Sequence, residues 1–145
     1  MPSYLSAMGK IVAIDYGAKR CGIAITDELK IIASPLTTVA GNTILEFLET
    51  LVRKENVERF VLGDARRTDG SASETTLMID SFGKKLEKKF PHIPISRVSE
   101  MYSSKLASKA LVEGGMKKSK RQEKGNLDMV SAAIILQDYL QFGDR

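Results

Sequence analysis

Two short, apolar, β-prone runs open the patterned part of the chain, residues 10–16 and 21–26, and only Gly17, Ala18, Lys19 and Arg20 separate them. A gap that short joins antiparallel strands, because a parallel pair needs a crossover of a dozen or more residues. The chain is therefore committed to a hairpin at its start, and its later elements must cover that hairpin's two faces. Asp27 and Glu28 make a tight connection into residues 30–39, where Ile31, Ile32 and Pro35 predict a third strand with the proline at an edge or a bulge. Three antiparallel strands lead the domain.

After them the apolar period lengthens. Asn42 is placed to cap a helix carrying Ile44, Leu45, Leu48, Leu51 and Val52, which closes at Arg53, Lys54 and Glu55. Residues 59–63 follow as a short strand, and the unbroken run Phe60, Val61, Leu62 suits a sheet covered on both faces. Ser71 to Glu74 fits the S-x-x-E capping box ahead of Leu77, Met78, Ile79, Phe82 and Leu86, giving a second helix that ends near Phe90 and Pro91. Residues 93–98 form the fifth strand, residues 103–113 a third helix stopped by Gly114 and Gly115, and Asn126 caps a last helix through Leu140. That helix is apolar on more than one side, so it packs against the sheet. Right-handed crossovers set the fourth and fifth strands parallel to the first. The expectation is a three-layer α/β domain over residues 8–142 with a five-stranded mixed sheet, preceded by an N-terminal extension, residues 1–7.

Composition narrows the setting. A single cysteine, Cys21, excludes an internal disulfide, and no run of ~18 apolar residues offers a membrane span. Residues 1–7 lack the basic and apolar regions of a secretory signal, which leaves the cytoplasm as the expected location. The net charge of +4 suits a polyanionic partner, and it is unevenly spread: Lys117, Lys118, Lys120, Arg121 and Lys124 stand against Glu123 alone. That segment reads either as a solvated loop or as an arm that contacts phosphates.

In open α/β sheets, sites gather at the carboxyl ends of parallel strands. Asp15 ends the first predicted strand, Glu100 follows the fifth, and Asp128 falls in the first turn of the last helix. Each acid alone is ordinary, as a turn former or a residue favoured by a helix dipole. Three on one rim repel one another unless cations intervene, and two divalent ions suit hydrolysis of a phosphodiester.

The stretch Asp15-Tyr16-Gly17-Ala18-Lys19-Arg20-Cys21-Gly22 resembles the D-x-G-x-K-R-x-G signature of the YqgF/RuvX family. The resemblance continues through Gly63 with Asp69-Gly70-Ser71, through Glu100 with Ser103 and Ser104, and through Lys124 to Asp128 followed by Ala132 to Leu136. It covers the chain from about Met8 to Leu140. It implies an RNase H-like fold and a metal-dependent nuclease that matures the 5′ end of pre-16S ribosomal RNA, with Holliday-junction resolution as the older alternative. It also implies that Asp15, Glu100 and Asp128 are catalytic and hold Mg²⁺ or Mn²⁺; two ions are expected, with substrate phosphates able to complete their coordination. Lys19 and Arg20 correspond to the family's basic pair. With Arg66, Ser103, Lys117, Lys118 and Arg121 they are the expected substrate contacts. Nucleic acid, RNA rather than DNA, is the expected partner, with no membrane association and a monomer or homodimer as the active form.

The chain departs from the family pattern at Ser99 and Met101, which flank Glu100 in place of Asp and Arg, and at Asp64-Ala65 in place of Leu-Pro. Asp64 reads as a turn residue that is also able to supplement the acids. The altered surroundings of Glu100 keep open a non-catalytic RNA-binding role in ribosome assembly. An actin-like ATPase is disfavoured by length and by the lack of a Walker-type loop. His92 has no metal-ligating companion at ligand spacing and reads as a surface residue, while Cys21 reads as a small buried one.

Overall fold

The opening hairpin forms where its sequence demands, with β1 (Lys10–Asp15) antiparallel to β2 (Arg20–Thr26) and Asp15 directly opposite Gly22. The computed structural model describes residues 9–17, 19–64, 74–99 and 124–142. Strand β3 (Ala33–Ala40) completes the antiparallel meander, followed by α1 (Ile44–Lys54), β4 (Val57–Asp64), α2 (Glu74–Lys89), β5 (Ile95–Ser99) and α3 (Lys124–Phe142). The five strands lie in the order β3-β2-β1-β4-β5, and both crossover strands run parallel to their neighbours. The carboxyl ends of β1, β4 and β5 therefore share one rim.

Strand alternation builds two cores. Val12, Ile14, Cys21, Ile23, Phe60 and Leu62 face α1 and α2, meeting Ile44, Leu48, Ile79, Phe82 and Leu86. Ile11, Ala13, Ala24, Val61 and Val98 face α3, meeting Ala132, Ala133, Ile135 and Leu136. Phe60, Val61 and Leu62 are each 0% exposed, which is why that run lacks alternation in the sequence. Truncating Phe60 to Ala would cost ~3–5 kcal/mol. Cys21 is buried and unpaired with any other cysteine, and His92 is exposed, as their sequence settings predicted.

Several boundaries differ from expectation by a residue or two, and four of the differences bear on the site or its surroundings. Ile31 and Ile32 belong to the turn before β3 because the Asp27 carboxylate accepts both their N–H groups, at 2.8 and 2.9 Å. The cap of α1 is Thr43 and not Asn42, and its hydroxyl donates to the Ala40 carbonyl at 3.2 Å instead of capping the helix. Helix α3 begins at Lys124, so Asn126 lies within it and Asp128 sits in its second turn, beyond the strongest reach of the helix dipole. Asp64 is the last residue of β4, in register with Ser99 of β5, and so continues the strand past Gly63. Pro35 falls at a register shift on β3, as predicted: Ile23 pairs with Thr37 and Ala24 with Pro35, leaving Leu36 as the extra residue. The predicted helix over residues 103–113 and the capping serine Ser71 lie outside the described residues. Among the described residues no helix is long and apolar enough to cross a membrane.

Candidate active site

Asp15 follows Ile11 and Ala13 in the alternation of β1, so it belongs to the α3 face of the sheet. Its partner across the hairpin is Gly22, and on β2 the residues Arg20, Gly22 and Ala24 share that same face. A cross-strand pair with a side chain on both members would fill the space over the sheet at this point. Glycine leaves it open, and α3 occupies it: a Cβ built on Gly22 would lie 2.0 Å from the Asp128 carbonyl oxygen and 2.7 Å from the Met129 nitrogen. The close approach sets Asp128 beside the end of β1. Asp15 and Asp128 thus meet at one rim, carried by elements from opposite ends of the sequence.

Arg20 shares the face and completes the corner. Its Nε donates to Asp128 Oδ2 at 2.9 Å, with the two side chains 40% and 26% exposed. Lys19 is exposed beside it, and its carbonyl accepts the Gly41 N–H at 3.1 Å, which ties the hairpin tip to the segment entering α1. Gly17 is needed on the other side of the tip, since a Cβ there would lie 2.6 Å from the Arg20 carbonyl oxygen. Cys21 points to the opposite face, where its thiol donates to the Gly17 carbonyl at 3.4 Å. Burial, reinforced by the negative charges of Asp15 and Asp128, pushes that thiol up to about 11.

The donor chemistry suits a hard divalent cation. Asp15 and Asp128 offer carboxylate oxygens, the ligands Mg²⁺ and Mn²⁺ prefer, whereas the Cys21 sulfur is buried in the core on the opposite face of the sheet. No group of three His, Cys, Asp or Glu gathers among the described residues. Glu100, the third expected acid, follows β5 in sequence and lies outside them, as do Arg66, Arg67, Ser103, Ser104, Lys117, Lys118, Lys120 and Arg121. The structure thus places Asp15 and the Arg20–Asp128 pair about Gly22, with Lys19 exposed at the hairpin tip.

Two features escaped the sequence reading. The pairing of Arg20 with Asp128 depends on which face each occupies, information that the hairpin alternation contains only once α3 is placed. Tyr16, the variable position of the signature, lies on the α1/α2 face and stacks on Phe82 with ring centroids 4.4 Å apart and an interplanar angle of 18°. Its alternation with Asp15 was the available signal.

Sheet order and layers together define an RNase H-like α/β domain, with Asp15 at the carboxyl end of β1 and the Arg20–Asp128 pair beside it. Residues 9–142 match the family described as "RuvX: Holliday junction resolvase". The chain is 51% identical over 138 residues to a Porphyromonas gingivalis protein named "Putative pre-16S rRNA nuclease", covering 95% of this chain and 100% of the relative. A protein of the same name from Amoebophilus asiaticus is 52% identical over 133 residues, covering 92% and 94% of the two chains. The chain belongs to the RuvX family. Among solved structures, RuvC of T. thermophilus in complex with a Holliday junction substrate aligns with TM-score 0.57 at 18% identity over 93% of this chain and 96% of that one. The yeast mitochondrial Holliday junction resolvase Ydc2 aligns with TM-score 0.58 at 14% identity, over 94% and 79%. At those identities the likeness establishes the fold, in agreement with the RNase H-like expectation.

Proposed function

We propose that this protein is a metal-dependent nuclease that hydrolyses phosphodiester bonds and trims the 5′ end of pre-16S ribosomal RNA in the cytoplasm. The observation that carries this reading is the convergence of Asp15 and Asp128 over Gly22 on the rim formed by the parallel strands. The names of the relatives supply the substrate.

Asp15, Glu100 and Asp128 are assigned to hold Mg²⁺ or Mn²⁺. When bound, such ions increase the acidity of water and offset negative charge on the phosphodiester. The carboxylates by themselves repel a phosphate, so approach of the backbone depends on neighbouring cationic groups. Among the described residues, Arg20 is paired with Asp128 and Lys19 precedes it at the hairpin tip. Arg20 neutralises Asp128 and holds its carboxylate in a fixed direction, a positioning role, while Lys19 at the exposed tip meets backbone phosphate. Arg66, Ser103, Lys117, Lys118 and Arg121 are assigned to the flanking strand, where phosphate contacts fix register without reading sequence.

The test is a cleavage panel with Mg²⁺ or Mn²⁺: pre-16S RNA carrying its 5′ extension, duplex RNA, and four-way junction DNA. We expect cleavage of the ribosomal precursor and a loss on the order of 100-fold or more in Asp15→Asn. Undiminished cleavage by that variant overturns the mechanism. Preferential cutting of the junction transfers the assignment to the resolvase alternative, favoured by the family's description. Tight RNA binding with no cleavage under any metal identifies a ribosome-assembly factor instead, the reading favoured by Ser99 and Met101 beside Glu100.

A further inference from the structure

A cleft of about 430 Å³ opens between α1 and α2, with Tyr16, Asn42, Leu77, Ser81, Phe82 and Lys85 among its lining. Nothing in the carboxylate corner uses it. Yet Tyr16 immediately follows Asp15, and alternation sends these neighbours to opposite faces of the same rim. Their Cα atoms are ~3.8 Å apart. The corner and the cleft therefore lie on opposite faces of one rim, a single residue apart along the chain.

We infer that this cleft receives one unpaired nucleobase of the substrate strand, adjacent to the phosphate that is cut. The inference rests on the nuclease reading and adds to it the place where a nucleotide identity is read. Its volume falls in the range of small-ligand sites, ~300–1,000 Å³. Leu77 is 62% exposed, and with the half-buried Met78 it gives the mouth an apolar surface that the core does not account for. Tyr16 is half-buried, with one ring face stacked on the buried Phe82, and supplies the aromatic surface on which a base can stack with little regard to sequence. Around it stand an amide, a hydroxyl and an ammonium: Asn42 and Ser81 each offer a donor and an acceptor to a base edge, and Lys85 offers charge to a flanking phosphate. A groove for a partner helix would repeat apolar positions along several turns. Here the apolar lining is two adjacent residues of each helix, Ile44 and Leu45 on α1 and Leu77 and Met78 on α2, beside the Tyr16 and Phe82 rings.

Methyl NMR of the full chain tests this, with titration by the four common ribonucleoside 5′-monophosphates and, separately, ribose 5-phosphate. At least one nucleotide should shift the Leu45, Leu77 and Met78 methyls, and ribose 5-phosphate should not. Ser81→Trp, an exposed position on α2, should fill the cleft, abolish those shifts and weaken binding of a single-stranded RNA by on the order of tenfold. Should that variant fail to fold by circular dichroism, Leu77→Asp takes its place. Methyls silent to all four nucleotides, equal shifts with ribose 5-phosphate, or shifts only with an apolar helical peptide overturn the inference. Cleavage of pre-16S RNA alongside silent methyls overturns the cleft alone, whereas base-dependent shifts without any cleavage leave the cleft standing and remove the nuclease reading.

Discussion

Arg20 and Asp128 are 108 residues apart in sequence and joined by a 2.9 Å charge-assisted hydrogen bond. A divalent cation held at Asp128, as proposed, would compete with this guanidinium for one carboxylate. Both side chains are partly exposed, so the pair itself contributes only ~0.2–1 kcal/mol to stability. Its larger effect is on what else Asp128 can bind.

Replacing Arg20 with Ala should lower the thermal midpoint slightly in metal-free buffer and enlarge the rise in midpoint produced by Mn²⁺, because the competing cation is gone. Differential scanning fluorimetry across a Mn²⁺ titration measures both. Identical metal responses in the wild type and the variant would show that the two cations do not share Asp128.

Gly22→Ala should be among the most damaging single changes in the protein. The added Cβ meets backbone atoms of Asp128, which cannot swing aside as a side chain tip would. Displacing α3 from β2 is expected to cost about 3 kcal/mol, read from urea denaturation, and to lower cleavage even in the folded fraction by moving Asp128 away from Asp15.

Cys21 should resist alkylation by iodoacetamide at pH 8 in the folded protein and react readily once unfolded, since burial holds its thiol protonated up to about 11. The linkage has a definite sign. The folded state disfavours the thiolate, so stability is unaffected below the ordinary value of 9.0 and declines as pH rises from there through about 11. Cys21→Ser removes this thiol titration, and a comparison of denaturation midpoints at pH 8 and pH 10.5 detects its loss.

The basic segment is tested by salt. Neutralising Lys117, Lys118, Lys120 and Arg121 together should reduce the slope of log affinity against log salt concentration for single-stranded RNA by about 3, at roughly 0.7 for each phosphate no longer neutralised. An unchanged slope would mark the segment as a solvated loop.

Most of the architecture is legible in the sequence because the two periodicities are clean. The four residues between the first two runs dictate a hairpin, and the unbroken Phe60, Val61, Leu62 run marks a strand covered on both faces. What the sequence hides are competitions between local hydrogen bonds. Nothing in the apolar pattern reveals that Asp27 captures the amides of Ile31 and Ile32, or that the Thr43 hydroxyl turns back to Ala40. At the site, the acids Asp15 and Asp128 are readable from strand-end position and motif, and Gly22 from the motif's spacing. The Arg20 pairing and the Tyr16 cleft are not, because each depends on which side of the sheet a helix from elsewhere in the chain comes to rest.

Strand β3 forms one margin of the sheet, and Pro35 interrupts it where Leu36 bulges outward, 41% exposed. Proline has no amide hydrogen to offer, and a displaced residue breaks the even spacing that a neighbouring molecule would need to extend the sheet. The kink at Pro35 and Leu36 thus works as a guard against aggregation. Restoring a regular margin, by substituting Pro35 and deleting Leu36, would create the flat adhesive border from which intermolecular fibres grow.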